Sequence, residues 1–256
     1  MEGTEFFIEP QNPMQEMDFA FFADGRKIAA EAFESGITKR NLLIMSIRLY
    51  QAVDQFLEAF EHQGQVIDCR KGCSFCCSNA VMVLPHEMFL LKEYLLQKSD
   101  PKNIAPVLEK MKSKNLQTEQ MKVNEFLHHK VPCALLDESG ACSVYEVRPM
   151  ACRIYLSRSV SSCKYEFDQS KDMTVWAQLY DLPLRAGRML NEGACAWLRD
   201  QGLTSYEWLF ESVFLKIWTN PAGFDSWISD ANFFKPRDLD DDESAYLDFF
   251  GKYEEK

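Results

Sequence analysis

Four cysteines fall inside nine residues of this chain, in the run CRKGCSFCC from Cys69 to Cys77, a sulfur density that no ordinary helix or strand of an apolar core requires. Three more, Cys133, Cys142 and Cys152, form a second cluster with Cys163 just beyond it, so eight of the nine cysteines fall into two groups of four. Density and spacing point to disulfides or metal rather than to buried apolar thiols.

The compartment separates the two outcomes. The N-terminal stretch MEGTEFFIEPQNPMQEMD has acids and prolines where an export signal needs a basic start and an unbroken apolar run. The most apolar stretches, 41–59 and 88–96, are interrupted by Arg48, Asp54, Lys92 and Glu93, short of the ~20 apolar residues that cross a bilayer. The expectation is a cytoplasmic protein with no membrane segment, where thiols stay reduced and clustered cysteines point to metal or catalysis. The neighbours Cys76 and Cys77 also sit awkwardly in a simple disulfide framework.

A chain of 256 residues with 46% hydrophobic content has material for one elaborated body. Its 39 acidic and 28 basic residues, net charge −11, argue against a phosphate-tracking surface and hence against a nucleic-acid partner. Apolar residues recur at three- and four-residue intervals with few β-branched runs, so the expected fold is mainly α: a single helical domain with a cysteine-rich irregular metal-binding core. Residues 1–65 form an N-terminal helical segment, 66–165 the cysteine-cluster metal-binding region, 166–236 a C-terminal helical part of the same body, and 237–256 an acidic tail.

Helices are expected from Thr38 to His62, capped by Thr38 and closed by Gly64, and from Pro85 to Lys98. Others are expected over Ile104 to His129, Met173 to Leu182, Leu184 to Gly202 and Ser205 to Trp218. Extended pieces fit only Ala80 to Leu84, Ala134 to Leu136 and Arg153 to Val160, all beside cysteines.

Cys69, Cys73, Cys76 and Cys77 share one stripe if helical, but Gly72 and Ser74 make a tight turn at least as reasonable. Successive side chains on a helix diverge by ~100°, which sets Cys76 and Cys77 toward different ions. In the second group DESG, between Cys133 and Cys142, is a turn signal that folds the two sulfurs together. Arg148-Pro149 then positions Cys152. Arg148, Arg153 and Arg158 place positive charge beside thiolates, or else take ordinary carboxylate partners, and Arg148 and Arg153 are the candidate contacts to a cofactor.

At these residues the chain resembles the YkgJ-like CxxCxxCC cysteine-cluster proteins, a family of zinc or iron chelators. The resemblance rests on CRKGCSFCC, on the following VMVLPHE with Glu87, and on CALLDESGACSVYEVRPMACRIY from Cys133 to Tyr155. It covers about 68–163 and leaves 1–65 and 170–256 unexplained. It implies zinc or iron held through Cys69, Cys73, Cys76, Cys77, Cys133, Cys142, Cys152 and Cys163. Flagellin lysine N-methylases look like relatives with the same cluster, which implies as an alternative an iron–sulfur enzyme using S-adenosylmethionine on a protein substrate.

The spacing CxxxCxxC of Cys69, Cys73 and Cys76 is also that of radical S-adenosylmethionine enzymes, in which three thiolates hold a 4Fe–4S cluster and leave one iron open. The strand–helix repeats of their barrel are not found here. His62, His86, His128 and His129 follow no metalloprotease spacing, Pro85-His86-Glu87 reads as a helix start, and Cys195 reads as core. The tryptophans Trp176, Trp197, Trp208, Trp218 and Trp227, at helical spacing, read as core too. Three classes of function stay open: a metal-binding protein with a structural or metal-handling site, an iron–sulfur enzyme, and a zinc-stabilised interaction module.

Overall fold

Two helices precede the first cysteine cluster. The computed structural model describes residues 13–118, 121, 125, 129–172, 174–230 and 232–234, in which helix α1 spans Pro13–Ala32 and α2 spans Lys39–His62. The Thr38 side-chain oxygen accepts from the Asn41 N–H at 3.2 Å, satisfying one of the donors that a first helical turn leaves free. Gly64 follows the last turn at φ +86°, where a side chain would strain the backbone. Leu42, Met45, Leu49 and Val53 form the fully buried stripe of α2.

Helix α3, Pro85–Lys98, starts on its proline as expected, and every residue from Pro85 to Leu91 is buried. Helix α4 runs Pro101–Thr118, and most of 119–128 lies outside the described residues. Beyond the second cysteine cluster come α5 (Met150–Ile154), α6 (Val160–Asp168), α7 (Asp181–Asp200), α8 (Phe210–Thr219) and α9 (Gly223–Ser229). The one sheet among the described residues pairs β1, Met82–Val83, antiparallel with β2, Trp208–Leu209, in the register Met82 to Leu209 and Val83 to Trp208. The fold is mainly α, and among the described residues no helix is long and apolar enough to cross a membrane.

The extended piece expected over Arg153 to Val160 is helical at both ends, Arg153 and Ile154 closing α5 and Val160 opening α6, and two helix expectations change as well. Of the helix expected over Met173–Leu182, the described residues 174–180 are not helical; 178–180 instead run beside 156–158, with Arg158 N–H donating to the Gln178 carbonyl at 3.1 Å and Tyr180 N–H to that of Leu156 at 2.9 Å. Pairing with a neighbouring segment gives that backbone partners outside itself, and helix begins only at Asp181, with Pro183 in a first turn where its missing N–H costs nothing. Likewise Ser205–Leu209 is non-helical because its end pairs with β1, so α8 starts at Phe210 rather than Ser205.

A single apolar cluster runs from Ala29 of α1 through α2, α3, Met111 of α4, Met150, Leu190 and Ala194 of α7, and Phe214 to Trp227. Trp197 stacks on Phe33 with ring centroids 5.0 Å apart, Trp227 is fully buried, and Trp176 is exposed, so the tryptophans are only partly core.

Helices α1 and α7 run in the same direction, because Asp18 pairs with Arg185 near their starts and Arg26 with Asp200, at 2.7 Å, near their ends. Between those pairs the backbones touch. A Cβ on Gly25 would lie 2.0 Å from the Leu190 carbonyl oxygen, and one on Gly193 would lie 2.0 Å from that of Phe22.

Candidate metal centre

The first cysteine run is a series of tight turns, not a helical stripe. Gly72 has φ +93°, the Cys73 N–H donates to the Arg70 carbonyl at 3.0 Å, and Phe75–Ser78 forms one short 3₁₀ turn, closed by Cys77 N–H to the Ser74 carbonyl at 3.0 Å. The second cluster is laid along it. Cys133 N–H donates to the Cys77 carbonyl at 2.8 Å and Val131 N–H to that of Ser78 at 3.1 Å. Cys133 and Cys142 then sit on a small hairpin, with Asp137 N–H to Ala141 O and Ser143 N–H to Leu135 O each at 2.9 Å, turned by Gly140 at φ +78°. The DESG signal marks that turn.

Cys152 lies on α5, whose start is held by a residue from elsewhere. The buried Glu87 carboxylate accepts from the Met150 N–H at 2.6 Å, from the Leu84 N–H at 2.8 Å and from the Tyr50 hydroxyl at 3.2 Å. In sequence Glu87 reads only as an acid at a helix start; in the fold it also caps α5 and sets the height of Cys152. Burial pushes its carboxyl pKa up, against the pull of those donors.

The arginines divide. Arg153 is buried, with Nη1 on both Asp54 carboxylate oxygens at 2.7 Å, Nη2 on the Glu146 carbonyl at 2.7 Å and its guanidinium 4.5 Å from the Tyr50 ring centre. Arg148 stacks 3.8 Å over Tyr145 and donates to its carbonyl at 2.9 Å, and its charge reaches the thiols of Cys77 and Cys142. Arg158 lies 5.1 Å over the Tyr180 ring.

Cys69 and Cys163 meet at one serine. The Ser157 N–H donates to Cys69 Sγ at 3.1 Å, the Asp68 N–H donates back to the Ser157 carbonyl at 3.0 Å, and the Asp68 carboxylate caps α6 through the Val160 N–H at 2.8 Å. Burial pushes the Cys163 thiol up, and the Ser157 side chain is among the groups that pull it down. Cys69 feels the charge of Cys163 and Cys73, whereas Cys133, Cys142 and Cys152 each feel that of Cys77.

Desolvation pushes most of these thiols up, Cys133 to about 12 and Cys152 well above its ordinary value. Within the vicinal pair, the hydrogen bond between the two side chains lowers Cys77 and raises Cys76, and the charges of Lys114 and Arg148 lower Cys77 further.

All nine cysteines are free; Cys163 and Cys195 are buried and the others half-buried. Cys195 accepts from the Ser205 hydroxyl at 3.1 Å inside the core, as its sequence context suggests. Among the described residues no three His, Cys, Asp or Glu side chains are arranged to hold one metal ion, so the eight thiols are neighbours without converging on a point. Their chemistry fits soft or borderline metals such as zinc and iron, and offers little to calcium or magnesium, which take oxygen. His86 is buried with neither ring nitrogen hydrogen-bonded among the described residues, and His128 lies outside them.

Residues 68–180 match the sequence model of the CxxCxxCC family, described as "Putative zinc- or iron-chelating domain". Helices α1 and α2, in 1–67, and α7 to α9, in 181–256, lie outside the match. No curated protein and no solved structure matches the chain.

Proposed function

With a chelating domain over residues 68–180 as premise, we propose that this protein binds zinc or iron through the thiolates of Cys69, Cys73, Cys76, Cys77, Cys133, Cys142, Cys152 and Cys163, and that the metal completes the packing of a region the backbone leaves irregular. The observation that carries this reading is the joining of two cysteine segments distant in sequence: Cys133 N–H on the Cys77 carbonyl at 2.8 Å and Ser157 N–H on Cys69 Sγ at 3.1 Å. An amide donor on a sulfur is the kind of outer contact that steadies a metal-bound thiolate. Each ligating thiol gives up its proton when metal enters, and a four-thiolate zinc centre then carries two excess negative charges. Arg148, whose charge acts on Cys77, would offset part of that charge, whereas Lys114, which also acts on Cys77, is paired with the buried Glu211 at 3.0 Å.

The metal supplies cross-linking, and the chain's own groups hold the sulfurs: Glu87 fixes the start of α5 below Cys152, and Asp68 and Ser157 fix Cys69 against α6. Metal, acid-labile sulfide and the visible spectrum, measured on protein purified without oxygen, test this. Colourless protein with near-integral zinc, or brown protein with iron and sulfide, supports it; the brown outcome makes S-adenosylmethionine binding to an iron–sulfur enzyme the next assay. Cys73→Ser is expected to lower metal content and melting temperature together, because binding and folding share free energy. Cys195→Ser is expected to leave metal content unchanged. Metal lost in Cys195→Ser, or fully retained in Cys73→Ser, refutes the ligand assignment.

A further inference from the structure

Helix α5 is five residues long, far short of the ~12–15 at which a helix holds by itself in water, and its N-cap, Pro149, has no side-chain acceptor to close the first turn. Its place is therefore set from outside. The apolar side rests on α7: a Cβ on Gly187 would stand 2.4 Å from Ile154 Cγ2 and 3.0 Å from Met150 Sδ. Met150 and Ile154 share a face at four-residue spacing, and Cys152, two positions from each, points to the other side.

The polar hold comes from one stripe of α2. Ser46, Tyr50 and Asp54 follow one another at four-residue intervals and so lie on a single face of that helix. The Ser46 hydroxyl, bonded to the Leu42 carbonyl at 2.9 Å, also reaches that of His86 at 3.4 Å. The Tyr50 hydroxyl donates to Glu87 Oε1 at 3.2 Å, the same oxygen that takes the Met150 N–H at 2.6 Å and opens α5. Asp54 holds the other end, taking Arg153 Nη1 on both carboxylate oxygens at 2.7 Å. Between these two clamps the Tyr50 ring lies under the Arg153 guanidinium, 4.5 Å from ring centre to cation. Tyr50 thus touches both clamps, one through its hydroxyl and one through its ring face.

The other buried positions of α2 include Leu42, Met45, Leu49 and Val53, and a buried polar side chain beside them costs stability unless it is paired. His86, Glu87 and Arg153 all lie inside the matched segment 68–180, whereas α2 lies outside it. Resting on the metal-binding reading above, we propose that Tyr50 and Asp54 are positioning residues for Cys152. From a helix outside the chelating match they clamp both ends of α5, so the cysteine region is complete as a ligand set only with α2 docked on it.

Iodoacetamide labelling of the reduced, metal-stripped full chain without oxygen, read thiol by thiol by peptide mass spectrometry, tests the placement. Zinc affinity, by competition with a chromophoric chelator, tests its consequence. Tyr50→Phe keeps the ring under Arg153 and removes the hydroxyl, and Asp54→Asn keeps the shape and removes the charge. Each is expected to raise the labelling rate of Cys152 severalfold, while Cys69, bonded from Ser157, and Cys163, on α6, keep theirs. Each is also expected to weaken zinc binding about tenfold, the low end for an outer contact, and Asp54→Glu, which preserves the charge, to recover most of that loss. A general loosening of the fold would instead raise all thiols together, and far-UV circular dichroism checks that the helices persist. Unchanged labelling of Cys152, or a proportional rise at Cys69 and Cys163, overturns the positioning role and leaves the metal-binding reading intact. Wild-type chain that takes neither zinc nor iron overturns that reading, and with it the purpose given to the stripe.

Discussion

Glu87 links two segments 63 residues apart through one carboxylate. Its two oxygens take N–H groups from Leu84 and Met150 and a hydroxyl from Tyr50, all in a buried site. Glu87→Gln replaces one acceptor oxygen by an NH₂ group that faces a donor, so a buried N–H loses its partner. The expected loss is about 1–3 kcal/mol of unfolding free energy, read as a lower urea midpoint at unchanged slope, and an unchanged midpoint contradicts the role. Half of this was legible. Pro85-His86-Glu87 announces a helix start, because that geometry is local. The hold on α5 was not, since nothing near Glu87 in sequence signals a partner at Met150. Cys195 was readable as core for the opposite reason, its apolar neighbours being contiguous.

At the scale of elements, the contact between α1 and α7 depends on glycine. Ala is favoured over Gly inside an isolated helix by about 1 kcal/mol, so propensity alone predicts that Gly193→Ala stabilises. The Cβ, however, would stand 2.0 Å from the Phe22 carbonyl oxygen, a backbone atom that cannot rotate away, so the helices must separate along their contact. Gly193→Ala is therefore expected to destabilise by roughly 1–3 kcal/mol or more. Gly223→Ala, whose Cβ meets nothing closer than 3.6 Å, is expected to stay within about 0.5 kcal/mol of wild type. Thermal melts of the pair decide it, and equal melting temperatures would contradict the backbone contact. Elements with local signals, such as α2 with its Thr38 cap and α3 with Pro85, were readable to within a residue. The segment 174–180 was misread as helix because its hydrogen bonds go to Leu156 and Arg158, and β2 because it pairs with Met82 and Val83, more than a hundred positions earlier in the chain.

For the molecule as a whole, pH enters through a histidine that the site does not use. Burial depresses His86 from 6.5 to about 3, with the Asn191 side chain pulling slightly the other way. Between those values the unfolded chain takes a proton that the folded chain refuses, so stability is present above the unfolded pKa and falls as pH falls toward 3, by up to about 1.4 kcal/mol per pH unit. Glu87 has the opposite sign, since its raised pKa adds stability at low pH that is lost as pH rises through its folded value. Urea midpoints at pH 6.5 and 4.5 are expected to differ less in His86→Gln than in wild type; an equal difference would place the acid sensitivity elsewhere. The cysteine content was legible as a site because sulfur density needs no fold to be noticed. What joins the two cysteine segments was hidden, because Cys133 N–H on the Cys77 carbonyl and Ser157 N–H on Cys69 Sγ are contacts between loops distant in sequence.

The parallel contact of α1 and α7 also sets an order of events during synthesis. Helix α1 is complete at Ala32 and α7 only at Asp200. At ~5–20 residues per second a ribosome needs on the order of tens of seconds to cover that interval. Throughout it the glycine face of α1 has no mate, and both cysteine clusters are synthesised before α7 is complete. On the metal-binding reading proposed above, metal can reach those thiols before the outer helices close.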